Sequence, residues 1–265
     1  MMEKMIFGRY IPASSLLHRM DPRAKILFVF FFIITVFLAN NSVTYIFLGI
    51  FTFLCLFLSK IPIKFIFSGL KFLIWLILFT FLMHIFFTKE GELLFELGFI
   101  KVYENGLRQA IFISLRFVYL ILVTTLLTLT TTPIEITDGI ESLLNPLKKV
   151  KFPVHELALM MSIALRFIPT LMQETDKIMK AQAARGVEFS SGPMKDRMKA
   201  VVPLLIPLFV SSFKRAEDLA IAMEARGYKG GEGRTKFRLL KWSFVDSFAF
   251  VVLGAVISIL ILFRS

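Results

Sequence analysis

Long, uninterrupted apolar stretches constrain this chain more than any other feature. The runs at residues 26–39 and 65–88 are apolar on every face of a helix, so neither offers a polar side to water. The whole chain is 57% apolar and only 19% charged, and its mean hydropathy is +0.75. Because no series of alternating strands is present, helices are predicted instead of a barrel. The sequence therefore predicts an all-α integral membrane protein.

Five apolar segments approach the length of about 20 residues that a membrane helix needs: 25–39, 43–58, 65–88, 107–129 and 244–263. The first two are short and are separated by Asn40, Asn41 and Ser42. We interpret them as a tight hairpin, since two Asn side chains in the middle of a bilayer would be costly. An alternative count adds the apolar halves of two later helices and gives seven spans, and the sequence leaves both counts open.

The distribution of Lys and Arg predicts the orientation in the membrane. Five basic residues lie within residues 1–25, before the uninterrupted apolar run at 26–39, and two lie in the loop at residues 59–64. The 40–42 turn has none, and residues 89–105 carry two against four Glu. The region 133–241 has 18 Lys and Arg against 12 Asp and Glu. We therefore expect a multi-pass protein of a prokaryotic plasma membrane, with a cytoplasmic amino end and a cytoplasmic 133–241 region.

These patterns predict three parts along the chain. Residues 1–132 are expected to hold the amino-terminal segment and the first four spans, and residues 242–265 the last span. Between them, residues 133–241 are predicted to form a cytoplasmic coupling domain of three helices, at about 134–149, 154–185 and 198–226. The second and third are long, begin apolar and become charged toward their carboxyl ends. This pattern is typical of helices that begin at the membrane and extend away from it toward another structure.

The region 133–241 contains an internal repeat with a spacing of 41 residues. Residues 181–186 read AQAARG and residues 222–227 read AMEARG, so both share Ala-x-x-Ala-Arg-Gly. Glycine after a helix readily adopts the left-handed conformation that ends it. Arg in the last turn is favoured by the helix dipole and presents five N–H donors. A single copy is an ordinary helix stop, but two copies at the ends of basic helices indicate a docking element for a partner with two equivalent grooves.

No catalytic, cofactor or metal site is predicted from the motifs. A phosphate-binding G-x-x-x-x-G-K-[ST] loop is absent from the sequence, and the glycine-rich residues 227–233 are interpreted as a flexible link. The three His have no metal-ligand spacing. Arg116 lies within an apolar run, where a buried structural partner is the favoured interpretation. The net charge of +12 is explained by cytoplasmic bias and docking, so no nucleic-acid partner is expected.

Three features of the chain resemble the transmembrane T component (EcfT) of energy-coupling factor transporters, the vitamin and metal-ion importers of prokaryotes. Residues 15–25 (SLLHRMDPRAK) look like the opening of that family before its first span. The paired tips Ala184-Arg185-Gly186 and Ala225-Arg226-Gly227 look like its two signature motifs. Residues 166–169 (RFIP) look like the start of its second coupling helix. The resemblance covers essentially the whole chain.

The resemblance implies a non-catalytic coupling subunit of an ATP-driven importer. Each tip would dock in a groove of one of two cytoplasmic ATPase subunits, identical or different, with Arg185 and Arg226 making the critical polar contacts. Ala184, Ala225, Gly186 and Gly227 would allow close approach and end the helices. The membrane helices would hold a separate substrate-binding S component, which ATP-driven movement of the coupling helices would tip within the lipid bilayer.

Two other classes of function compete with this interpretation. A membrane-embedded enzyme predicts clustered carboxylates or His near the membrane face, and the sequence has none at helical spacing. A self-sufficient channel or secondary transporter usually has intramembrane acids or two related membrane halves. Here the repeat lies outside the predicted spans, which contain almost no acids. Both alternatives are weaker than the coupling subunit.

Overall fold

The computed structural model describes residues 10–97, 100–187, 189, 193–230 and 239–263. Within them the elements, in chain order, are α1 (Leu16–Arg19), α2 (Pro22–Leu38), α3 (Ser42–Ser59), α4 (Ile63–Phe87), β1 (Leu93–Leu97), β2 (Ile100–Tyr103), α5 (Glu104–Thr130), α6 (Pro133–Leu144), a 3₁₀ helix (Asn145–Val150), α7 (Val154–Ala184), α8 (Met194–Ala225) and α9 (Phe244–Leu262). Lys4, Arg9 and residues 231–233 of the predicted glycine-rich link lie outside the described residues.

The predicted all-α membrane fold with about five spans is confirmed. By length and composition, α3, α5, α7 and α9 could each cross a membrane, and α4 makes a fifth if its two parts, bent by 56°, are counted as one span. The helices that qualify as spans are not the same five that were predicted. Helix α2 has only 17 residues, whereas α7 qualifies because its first half is apolar.

Several local predictions require correction. The segment 89–105, counted above as a connection between spans, contains the antiparallel hairpin of β1 and β2, with Glu96 opposite Lys101. Helix α6 ends at Leu144, because Pro146 cannot donate an amide hydrogen bond and disfavours the α conformation before it. Residues 166–169 do not start a helix; they lie inside α7, which begins at Val154.

The chain divides into two compact units. One contains Ile140–Leu239, and the other contains Gly8–Gly139 together with Leu240–Ser265. In the first unit, α7 packs against α8. In the second, α2, α3 and α4 pack against α5, and α9 packs against α2.

Aromatic and branched side chains fill the core of the second unit. Phe32, Leu48 and Leu260 are fully buried there, one each from α2, α3 and α9. Helix α3 approaches α5 closely at Gly49, where an added Cβ would lie 2.7 Å from the hydroxyl oxygen of Tyr119. That hydroxyl donates a 3.0 Å hydrogen bond to the backbone oxygen of Tyr45.

Arg116 has a structural environment within the second unit. Its Nη2 donates to the Tyr45 hydroxyl over 2.9 Å, and its guanidinium lies 5.1 Å from the ring centroid of Phe37. The Nε atom is buried and has no hydrogen-bond partner among the described residues. These contacts support the interpretation of Arg116 as a structural residue.

Polar side chains tie the amino end of α2 to neighbouring elements. The fully buried Asp246 accepts a 2.9 Å hydrogen bond from the Asp21 amide. Lys25 Nζ donates to the Thr130 backbone oxygen over 2.9 Å. Just before this helix, His18 Nε2 lies 2.9 Å from the Ile11 carbonyl oxygen, and burial is the main cause that lowers the pKa of His18. These bonds give residues 15–25 an anchoring role.

Candidate functional site

The first Ala-Arg-Gly tip ends α7 in a defined turn. Gly186 has a φ of +87°, in the left-handed region. Its amide donates to the Ala183 carbonyl over 3.0 Å, and the Val187 amide donates to the Gln182 carbonyl over 3.0 Å. This pair of bonds is the Schellman arrangement, in which glycine satisfies the last carbonyls of a helix.

The second tip ends α8 in the same way. Gly227 has a φ of +72°. Its amide donates to the Glu224 carbonyl over 2.8 Å, and the Tyr228 amide donates to the Met223 carbonyl over 3.0 Å. The preceding arginines have almost equal backbone angles, −87° and 7° at Arg185 and −87° and 8° at Arg226. The sequence repeat therefore extends to the backbone conformation.

Both tips present their side chains to solvent. The six motif residues are all exposed: Ala184, Arg185, Gly186, Ala225, Arg226 and Gly227. A Cβ built on either glycine meets nothing within 4 Å. Within the described part of the chain, neither Arg185 nor Arg226 has a side-chain hydrogen bond or ion pair. Each tip is thus a compact surface with a planar cationic fork that has no partner among the residues that the structure describes.

Helices α7 and α8 are joined by a polar contact that the sequence analysis missed. Arg215 of α8 reaches Glu174 of α7, with Nη2 at 2.9 Å and Nε at 3.2 Å from the same carboxylate oxygen. The Ser211 hydroxyl donates to the other carboxylate oxygen. We call these three residues the brace. Glu174 and Arg215 are 41 residues apart, which equals the spacing of the repeat.

Beside the brace, the two helices leave an open cleft. Its volume is 330 Å³, and its lining is largely apolar, with Phe167 and Leu171 on α7 and Leu219 on α8. A second polar contact crosses between the helices at Gln182, whose Nε2 donates to the Pro203 carbonyl over 3.3 Å. The cleft shows that apolar packing between α7 and α8 is incomplete next to the brace.

A metal centre is not evident in the regions that the structure covers. No group of three or more His, Cys, Asp or Glu side chains there could hold a metal ion. His155 pairs with Glu141, with Nδ1 3.3 Å from the carboxylate oxygen. The absence of a catalytic, cofactor or metal site from the whole chain stays a prediction from the sequence.

Comparison with known proteins decides the family. Residues 13–237 match the family model CbiQ, described as cobalt transport protein. The energy-coupling factor transporter transmembrane protein EcfT of Bacillus subtilis (strain 168) is 65% identical over 265 residues, the whole of both chains. The chain belongs to the EcfT family. The proteins of the same name from Exiguobacterium sibiricum and Listeria innocua are 58% identical over 260 residues and 57% identical over 265 residues; the alignments cover 98% and 100% of this chain and 99% and 100% of theirs.

These comparisons confirm the predicted resemblance to the EcfT family. EcfT membership identifies a multi-pass membrane protein of a prokaryote that is the transmembrane component of an energy-coupling factor transporter. The six tip residues keep the status of a candidate docking site, since EcfT membership alone assigns no role to individual side chains.

Proposed function

We propose that this EcfT protein couples the conformational changes of two cytoplasmic ATPase subunits to a separate S component that carries a vitamin or a metal ion. Each tip docks in a groove of one ATPase subunit. Movement of the ATPases is transmitted through α7 and α8 to the S component, which tips in the membrane. The chain itself supplies no catalytic group and binds no cofactor.

The observation that carries this proposal is the matching backbone of two exposed tips, each with an arginine that has no side-chain partner in the described part of the chain. An exposed helix stop needs no arginine fork and no second copy. A partner with two equivalent grooves needs both, because each groove must meet the same turn and the same donors. Guanidinium groups suit grooves lined with carboxylates or carbonyl oxygens, where they donate several hydrogen bonds at once.

The proposed arrangement places the amino end and residues 133–241 on the cytoplasmic side, where ATP is available. It accounts for α7 as an apolar-to-charged coupling helix that begins at the membrane face. The exposed apolar side chains of α8, such as Val202, Phe209 and Phe213, would then lie near lipid or the S component. Domain bounds of 1–132, 133–241 and 242–265 belong to the same proposal.

The first test is capture of ATPase subunits by the purified protein in detergent. We expect the wild type to bind a pair of energy-coupling factor ATPase subunits from the same genome. Arg185→Glu and Arg226→Glu should each weaken binding by at least about 2 kcal/mol, or about 30-fold, because a buried charged contact becomes repulsive. The double variant should bind no ATPase.

Lys148→Glu is the matched control, because Lys148 is an exposed cation outside both motifs. It should bind the ATPases as the wild type does. If all variants bind equally well, the tips are ordinary helix stops. If the folded wild type captures no ATPase, the proposed coupling role is wrong for this chain.

A further inference from the structure

The brace lies at equivalent positions of the two long helices. Eleven residues separate Glu174 from Arg185, and eleven separate Arg215 from Arg226. At 1.5 Å per residue, each tip lies about 16 Å along its helix from the brace. The two arms that carry the tips are therefore equal in length and start at the same ion pair. They point in opposite directions, because Gln182 of the first arm contacts Pro203, which lies before Arg215 on α8.

The ion pair has the geometry of a directed contact. Two nitrogens of Arg215 donate hydrogen bonds to one carboxylate oxygen of Glu174, and the Ser211 hydroxyl donates to the other. The Glu174 side chain is 21% exposed and the Arg215 side chain 40% exposed, so the pair is partly shielded from water. The Arg215 guanidinium and the Ser211 hydroxyl both bind the Glu174 carboxylate. These contacts therefore restrict the angle between the helices as well as the distance between them.

Because the packing between α7 and α8 is incomplete next to the brace, the brace contributes more to the orientation of the two helices. The 330 Å³ cleft is open between Phe167 and Leu171 on one side and Leu219 on the other. Apolar side chains that do not interlock allow helices to shift against each other. The orientation of the two arms then depends on polar contacts. Among those of the described residues, the brace lies equally far from both tips, whereas the Gln182–Pro203 contact lies close to the first tip.

We propose that Glu174 and Arg215 are positioning residues that set the separation of the two tips, so that both engage a two-subunit ATPase at once. This inference rests on the proposed coupling function. Binding through two linked contacts depends on the effective concentration of the second contact after the first has formed. A fixed separation that matches the partner raises that concentration, and a broad range of separations lowers it.

A double-mutant cycle separates this role from a general loss of stability. The probe is the purified ATPase pair, titrated onto the full chain in detergent. Glu174→Gln removes the charge and keeps the shape, and we expect about tenfold weaker binding as the second tip engages less often. In the Arg226→Glu background only one tip docks, so adding Glu174→Gln should cause no further loss.

Direct contact cannot produce that result, since Glu174 lies about 16 Å of helix from either tip. Equal losses in both backgrounds would mean that Glu174 acts independently of tip spacing, and the inference would be overturned. Asp176→Asn is the control, because Asp176 pairs with Lys180 on the same helix at 2.6 Å. It should bind the ATPases as the wild type does.

The distance between the tips can be measured without any ATPase. Spin labels at Ala181→Cys and Ala222→Cys, in a Cys55→Ser chain, occupy equivalent exposed positions on α7 and α8. Pulsed electron spin resonance should give a narrow distance distribution for the wild type and Asp176→Asn, and a broad one for Glu174→Gln. The charge swap of Glu174→Arg with Arg215→Glu should narrow it again.

An unchanged distribution in Glu174→Gln would disprove the positioning role even if the tips bind ATPases. If Glu174→Gln broadens the distribution but the wild type captures no ATPase, the brace still positions the tips. Its role in ATPase binding would then be refuted together with the proposed coupling role. The two failures are therefore distinguishable.

Discussion

Gly186 and Gly227 adopt a backbone conformation that strains any residue with a Cβ. Their φ values of +87° and +72° are left-handed, which costs other L-residues about 1–2 kcal/mol. A Cβ added at either position meets nothing within 4 Å among the described residues, so the strain there comes from the backbone. The sequence predicted this conformation from the position of each glycine after its helix. It could not predict that Arg185 and Arg226 have no partner among the described residues, because that depends on which elements approach the tips.

Alanine at either glycine should loosen the end of its helix. We expect Gly186→Ala and Gly227→Ala each to cost about 1 kcal/mol locally. That cost corresponds to about fivefold faster hydrogen exchange at the Val187 or Tyr228 amide, which closes the turn. Gly254→Ala is the control, since this glycine lies within α9 and its added Cβ also meets nothing within 4 Å. Unchanged exchange at Val187 and Tyr228 would show that the left-handed turns are not needed.

At the scale of elements, apolar run length predicted most helices to within a few residues. It predicted α9 at 244–263, and the helix spans Phe244–Leu262. It failed for the β1–β2 hairpin, because strands of five and four residues carry too little periodic signal to separate them from a loop. The brace was missed for another reason: pairing Glu174 with Arg215 requires that α7 and α8 cross, and a crossing is a tertiary property.

Asp246 of α9 contacts the residue before α2, and loss of this contact should lower the stability of the second unit. The Asp246 carboxylate accepts hydrogen bonds from the amides of Asp21 and Ser243, at 2.9 and 2.7 Å. Asn at this position turns one acceptor into a donor that faces an amide. We expect Asp246→Asn to lower the free energy of unfolding by about 1.5–3 kcal/mol, measured by thermal unfolding in detergent.

Ser258→Ala is the matched control for that measurement. The Ser258 hydroxyl is exposed and donates to the carbonyl of Gly254 in its own helix, so its loss should leave the unfolding temperature nearly unchanged. Equal unfolding temperatures for Asp246→Asn and the wild type would show that the Asp21 and Ser243 amides find other acceptors.

At the scale of the whole molecule, the placement of α7 separates the five-span and seven-span interpretations. Helix α7 is long and apolar enough to cross a membrane, yet the proposed function places it on the cytoplasmic side. The charge distribution predicted the orientation of the ends of the chain. It could not decide this helix, because α7 is apolar in its first half and charged in its second.

Labelling of single cysteines in a Cys55→Ser chain tests this placement. Lys148 and Lys177 lie before α7 and in its charged half, and both are exposed. We expect a membrane-impermeant maleimide to label Lys148→Cys and Lys177→Cys in inside-out vesicles but not in intact cells. Glu90→Cys, in the loop after α4, should react in intact cells. Reaction of Lys148→Cys and Lys177→Cys from opposite sides would show that α7 crosses the membrane.

The two tips share a backbone but differ in the side chains between their common residues. Gln182 and Ala183 stand in the first where Met223 and Glu224 stand in the second. A twofold partner with identical halves meets Arg185 with an alanine two residues before it on one side, and Arg226 with Glu224 two residues before it on the other. A partner with two different halves can distinguish the two tips by this difference. It then binds in one orientation and not in the other.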